Sequence, residues 1–240
     1  MAPIKDQNPD LRRLQQEYAR RSGDLETKEL YSPENPAHQW MIADRHKKIL
    51  DILNANLLLD LSDLDILEIG CGSGGVIREF VQFGAVPTKV VGVDLLLDRL
   101  EQATTDLKDC SWLNANGQFL PFRDATFELL LQFTAFSSIL DPKVKMDMAL
   151  EMLRVLKPGG SILWYDFTWN PTNSQTKGIG LKELKALFPG CALSHSRITL
   201  APPLTRLLIQ SSPRQVEWLS SLKMFNSHLL VWIQKGLSIV

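Results

Sequence analysis

The residues best suited to chemistry in this 240-residue chain lie in the run Glu68-Ile69-Gly70-Cys71-Gly72-Ser73-Gly74-Gly75. It puts a carboxylate just ahead of alternating glycines, which permit a tight turn and let backbone N–H groups approach a ligand closely. Gly70, Gly72 and Gly75 satisfy the spacing GxGxxG, while Glu68, Gly70, Gly72 and Gly74 satisfy ExGxGxG. Taken alone, the run fits two nucleoside cofactors equally well. A second group, Val90-Val91-Gly92-Val93-Asp94, reads as a buried strand ending in an acid. That carboxylate is suited to accept hydrogen bonds from both hydroxyls of a ribose, in either cofactor.

These groups need a scaffold, and the hydrophobic pattern supplies one. From Asp65 onward, short apolar runs alternate with helical stretches, as in βαβ units and a parallel sheet. Strands are predicted near 64–69, 89–94, 110–114, 127–133 and 161–167, with helices near 75–83, 96–107 and 142–156. The last third adds a helix over Leu181–Phe188 and strands over Ala192–Leu200 and Ser227–Gln234. Residues 9–58 read helical on either side of a loop at Ser22 to Ala37 that contains Gly23, Pro33 and Pro36. The apolar spacing at Leu11, Leu14 and Tyr18 marks the first of these helices, and Ala201 to Asn226 reads as a helical cover before the last strand.

Lysine and arginine total 26 against 27 aspartate and glutamate, a net charge of −1, so no electrostatic footprint for nucleic acid is present. Cys71, Cys110 and Cys191 are odd in number and far apart, which argues against a disulfide framework and a cysteine-rich zinc site. The first residues carry Pro3, Lys5, Asp6 and Asp10 and no apolar signal core, and no run approaches the roughly 18 apolar residues that span a bilayer. The expectation is a cytoplasmic protein with no nucleic-acid or membrane partner and no metal.

Two further blocks separate the cofactor readings. Asn116-Gly117-Gln118-Phe119-Leu120-Pro121-Phe122-Arg123-Asp124 precedes the strand at 127–133, and Leu153-Arg154-Val155-Leu156-Lys157-Pro158-Gly159-Gly160 ends a helix and launches the next strand. In this order, the four blocks resemble class I S-adenosylmethionine-dependent methyltransferases over roughly residues 60–170. The first of the two corresponds to the DAxxLPFxDxxFD segment of that family, with Asn116 in place of the acid that contacts the adenine amino group. The resemblance implies that Glu68, Gly70, Cys71, Gly72 and Gly74 serve the methionine and ribose ends of the donor. By the same resemblance Asp94 and Leu95 serve the ribose, Asn116 and Gly117 the adenine, and Gln132 lies at the end of the fourth strand beside the donor. N-terminal segments of this family often cover the donor, so Tyr31, His38 and Arg45 are candidates to reach it. Phe136 to Asp141, Trp164 to Phe167 and Thr199 to Leu204 further resemble a bacterial subgroup associated with glycan and secondary-metabolite pathways.

Methyl transfer from a sulfonium is an in-line displacement, for which proximity and a dry pocket supply most of the catalysis. A hydroxyl acceptor also needs a proton acceptor. The candidates are His228 at the start of the last strand, and Asp166 and Tyr165 at the end of the fifth. His46 and His195 read as structural or surface residues, and Trp40, Trp164 and Trp169 as candidates to line an acceptor pocket.

The expected fold is an α/β, Rossmann-like, doubly wound seven-stranded sheet with an antiparallel last strand. A helical extension over residues 1–60 would precede a methyltransferase domain over 61–240, which carries a helical insert near 201–226. The expected reaction is O-methylation of a sugar or natural-product hydroxyl, with S-adenosylhomocysteine as product. Nitrogen or carbon methylation, a nicotinamide-dependent oxidoreductase and a non-catalytic methyltransferase-like binding protein are the alternatives.

Overall fold

In the computed structural model, residues 8–24, 29–170 and 173–237 are described. Helices α1 (Pro9–Ser22) and α2 (Pro36–Ala55) start alike, with an asparagine followed by proline. The side chain of Asn8 accepts from the Asp10 amide, and that of Asn35 accepts from the Ala37 and His38 amides. These bonds satisfy amides that the first helical turn leaves over, at positions where proline brings no N–H of its own. The chain continues through β1 (Ile66–Ile69), α3 (Gly75–Gln82), β2 (Val90–Asp94), α4 (Leu97–Asp106), β3 (Ser111–Asn114) and β4 (Phe127–Phe133). Then come α5 (Pro142–Val155), β5 (Leu156–Phe167), α6 (Leu181–Leu187), β6 (Ala192–Leu200), α7 (Pro202–Leu208), α8 (Pro213–Ser221) and β7 (Asn226–Gln234).

The seven strands form one sheet in the order β3-β2-β1-β4-β5-β7-β6, with β7 antiparallel to both of its neighbours. This is the expected Rossmann-like arrangement, preceded by the expected N-terminal helices. One boundary differs. β5 begins at Leu156 rather than 161, because Leu156 pairs with Phe127 before the register shifts and pairing resumes at Ser161. Lys157 to Gly160 fall in that irregularity, where Gly159 has a φ of 76°.

Strand alternation divides the core between the two faces of the sheet. Leu67, Ile69, Leu130, Ile162, Trp164 and Val231 join one cluster under α1, α5 and α6. Ile66, Leu129, Leu131, Phe133, Leu163, Tyr165 and Leu230 join the other, under α2, α3 and α4. The residues at 201–226 form α7 and α8, whose Leu204, Leu208 and Leu219 pack with Ala37 and Trp40 of α2 in a third, smaller cluster.

Helix α1 is fastened across the loop that follows β4. The Asp10 carboxylate accepts from the amides of Leu140 (2.7 Å) and Asp141 (2.9 Å). Arg13 donates to the Ser138 carbonyl at 2.6 Å, and the Tyr18 and Ser138 hydroxyls lie 3.2 Å apart. These bonds place α1 over the carboxyl ends of the central strands, where α2 also lies, paired through Arg45 to Glu79; open α/β sheets bind ligands at this edge.

Candidate active site

The glycine turn leaves β1 with three left-handed residues, Gly70 (φ 75°), Gly72 (φ 53°) and Gly74 (φ 76°). A Cβ on Gly70 would lie 2.5 Å from the Ala135 Cβ, and one on Gly74 would lie 2.6 Å from the Trp112 ring. Gly75 has no positive φ, and a Cβ there would meet no atom within 4 Å. The glycines that the backbone demands are therefore those of ExGxGxG. In the dinucleotide pattern the third glycine serves close packing of helix on strand, a constraint that Gly75 does not meet.

Asp94 ends β2 directly beside this turn. Its carboxylate accepts from the Gly72 amide at 2.7 Å and from the Leu96 amide at 2.9 Å. Burial pushes its pKa up, against the opposing pull of Arg99 and the two amides. The Arg99 guanidinium crowds Gly72 and stands over the Tyr18 ring, 5.0 Å from its centroid. It thus ties the β2 side of the turn to α1.

A cavity of about 720 Å³ opens above the turn, between α1 and α2. Glu68, Gly70, Cys71, Asp94, Leu95, Asn116, Gly117 and His38 all line it, so eight of the expected donor contacts share one cavity. Arg45 lines it as well. The Asn116 side chain accepts from the Gln118 amide at 2.9 Å, which shapes the loop after β3. Gly72 and Gly74 stand behind the wall, in the turn. Gln132 and Tyr31 depart from the expectation. Gln132 is fully buried and donates to Asp166 at 3.1 Å, while Tyr31 is exposed and meets His38 edge-on at 5.8 Å.

Three expected proton acceptors lie inside the sheet and are not among the cavity-lining residues. His228 is buried, stacked on the Tyr165 ring at 4.6 Å, with Nδ1 3.0 Å from the Ser227 hydroxyl. Burial, then the charge of Arg45, pushes its pKa down to about 3, too low for a base at neutral pH. The Asp166 carboxylate is consumed by the amides of Ser137 (3.0 Å) and Phe167 (2.8 Å) and by Gln132. The Tyr165 hydroxyl is 2.9 Å from that of Thr199, and burial pushes its pKa up to about 12. Alternation did send Tyr165 and Asp166 to opposite faces, but packed elements cover both.

Besides Glu68, Asp94 and Arg99, the charged groups that line the cavity come from α2 and α3. The Glu79 carboxylate lies between the guanidinium of Arg45, with which it pairs, and His46, whose Nε2 is 3.0 Å away. Arg45 in turn stands over the rings of Phe133 (5.6 Å) and Tyr165 (5.5 Å). His46, expected to be a structural or surface residue, is therefore a residue of the cavity wall. Glu79 was legible as an acid three residues after Val76, on the apolar side of α3. Arg99 gave no comparable sign, because its position on α4 is ordinary for an exposed cation.

Burial, followed by the nearby Glu79 and Asp94 carboxylates, pushes the Glu68 pKa well above the usual carboxylate value. Among the described residues, four buried side-chain atoms of this cavity have no hydrogen-bond partner: His46 Nε2 and Glu79 Oε2, which face each other, and Glu68 Oε2 and Arg45 Nε, which do not. Buried polar atoms are almost always paired, so the last two mark where a polar ligand belongs. One calls for a cation or N–H donor and the other for an anion or acceptor, as the amino-acid end of S-adenosylmethionine would provide. The donor fits the residues present. No cluster of metal-ligating side chains occurs among the described residues.

Comparison with known proteins agrees with this geometry. Residues 66–160 match the sequence model of the family described as methyltransferase domain. A putative sarcosine dimethylglycine methyltransferase from Galdieria sulphuraria superposes with a TM-score of 0.62 at 15% identity, covering 93% of this chain and 98% of that one. The fold is thus that of the Rossmann-like methyltransferases. A sterol 4-C-methyltransferase of Caenorhabditis elegans is 36% identical over 117 residues, 45% of this chain and 33% of the relative. A demethylmenaquinone methyltransferase of Lactococcus lactis is 30% identical over 118 residues, 47% of this chain and 45% of the relative. The chain spans less than half the length of these two relatives. Together the matches place a methyltransferase-domain sequence at residues 66–160 on a fold that the solved methyltransferase shares.

Two substitutions check the electrostatics. Between pH 4.5 and its raised folded pKa, Glu68 keeps a proton in the native state that the unfolded chain has released, so stability falls as pH rises. Glu68→Gln removes that fall, and urea unfolding from pH 5 to 8 should show the variant losing less stability than wild type. The same variant should weaken S-adenosylmethionine binding by about tenfold or more, the magnitude of a charged hydrogen bond. His228 has the opposite sign. Between pH 6.5 and about 3 the unfolded chain binds a proton that the native state refuses, so stability falls as pH drops. His228→Phe should flatten acid unfolding while leaving donor affinity unchanged, and a large loss of donor affinity in this variant would reject the buried, structural role.

Proposed function

We propose that the chain methylates a small molecule, using S-adenosylmethionine and acting on a hydroxyl of a sugar or natural product. The observation that carries this reading is the continuity of one cavity, from the glycine turn and Asp94 to the His46–Glu79–Arg45 cluster. When bound, S-adenosylmethionine supplies an electrophilic methyl group on a sulfonium. Glu68 takes the donor's ammonium, Arg45 its carboxylate, Asp94 the ribose hydroxyls, and Asn116 with Gly117 the adenine. His38 and Ile42 of α2 close the cavity over the acceptor.

His46 replaces His228 as the proton acceptor. Its Nε2 lies 3.0 Å from the Glu79 carboxylate without a formed hydrogen bond, so a small turn of the ring on substrate binding would pair base with orienting acid and leave Nδ1 for the proton. On methyl transfer His46 would take the proton of the acceptor hydroxyl and Glu79 would stabilise the imidazolium, the carbon–sulfur electron pair remaining with the S-adenosylhomocysteine product. A carbon acceptor is the second reading, favoured by the relative named for C-methylation of sterols. For an acceptor already nucleophilic at carbon, alignment alone would suffice.

Release of S-adenosylhomocysteine across sugars, phenolic natural products, sterols and quinols separates these readings. Hydroxyl transfer predicts that His46→Asn lowers kcat by about 10²–10⁴-fold, with donor affinity retained. Transfer confined to carbon acceptors, with full turnover in His46→Asn, would reject the hydroxyl reading.

A further inference from the structure

We propose that the outer face of α8 and the turn after it dock the protein on an anionic lipid surface. The inner face of α8 is already committed. Val216 is fully buried and Leu219 packs into the cluster with Ala37 and Leu200. Arg214, Trp218 and Leu222 recur at intervals of four residues, and this spacing puts them on one stripe facing away from Val216. Trp218 is 62% exposed and Leu222 42%. The chain then turns sharply at Lys223 (φ 56°), which leaves Met224 71% and Phe225 37% exposed. Four large apolar side chains are thus presented to solvent within eight residues, and none of them lines the cavity.

The presentation is rigid. The Asn226 side chain donates to the carbonyls of Ser220 (2.9 Å) and Arg197 (3.3 Å). The Ala201 amide donates to the Phe225 carbonyl at 3.0 Å, which ties the turn to the start of α7. Charge decides the occupant. On α8 and the turn after it, from Pro213 to Phe225, the exposed cations Arg214 and Lys223 stand against one acid, Glu217, although the whole chain is close to neutral. Aromatic and apolar side chains interleaved with lysine and arginine suit the headgroup layer of a bilayer, where rings sit at the interface and cations meet anionic lipids. This is surface attachment, since no helix among the described residues is long and apolar enough to cross a membrane. The hairpin rests on α2 through Leu204 and Leu208, and α2 forms one wall of the cavity, so docking would hold the cavity close to the lipid.

The test is co-flotation of the full chain with vesicles of phosphatidylcholine plus phosphatidylglycerol, and with phosphatidylcholine alone. Binding is expected to the anionic vesicles only and to weaken with added salt. Arg214→Glu combined with Lys223→Glu should lower it by about tenfold or more, and Trp218→Ser combined with Met224→Ser should lower it as well. All four positions are exposed, so circular dichroism and S-adenosylmethionine binding should match wild type. Failure of the wild-type chain to float with anionic vesicles, or equal flotation of the variants, would overturn the proposal. So would a dimer in sedimentation velocity without lipid that Trp218→Ser/Met224→Ser dissolves, because a second copy would then occupy the face.

Discussion

The buried hydrogen bond from the Gly72 amide to the Asp94 carboxylate, next to those from the Gly70 and Cys71 amides to the Val93 carbonyl, joins the ends of β1 and β2 and shapes the turn that follows β1. Because that carboxylate is spent partly on the turn itself, Gly70, Gly72 and Gly74 are held in left-handed conformations that only glycine adopts readily. The same acid draws Arg99 against the turn, and Arg99 stands over Tyr18 on α1. In this way a bond at the sheet edge extends into the helix that covers the cavity.

The second constraint is charge in a confined space. Glu68, Glu79 and Asp94 lie close together and are all buried, an arrangement that self-repulsion and desolvation both oppose. Arg45 and Arg99 offset it, one beside Glu79 and the other beside Asp94. The compensation is incomplete at Glu68, where the carboxyl is pushed toward its neutral form. A site that keeps such a group has given up stability for affinity, which is how polar residues are retained in binding cavities.

Much of this was legible in the residues. The alternating apolar runs at 66–69, 90–94 and 127–133 can be buried only in a covered sheet, and the segments between them carry helical spacing, so the order of elements followed. The glycine turn was ambiguous because both cofactor patterns share Gly70 and Gly72. Only the backbone angles show that Gly74, and not Gly75, is the third glycine under constraint. The expected proton acceptors failed for a different reason. Topology does bring His228, Tyr165 and Asp166 to the correct edge of the sheet, but stacking and hydrogen bonding there are long-range properties that strand position does not reveal. His46 was passed over because its partner, Glu79, is 33 residues away on another helix.

If the cavity above the glycine turn holds S-adenosylmethionine, calorimetric titration of the purified chain should show one site per chain for it, competed by S-adenosylhomocysteine, with no heat from NADH in the same range. Binding of NADH without S-adenosylmethionine, or of neither, would contradict that assignment.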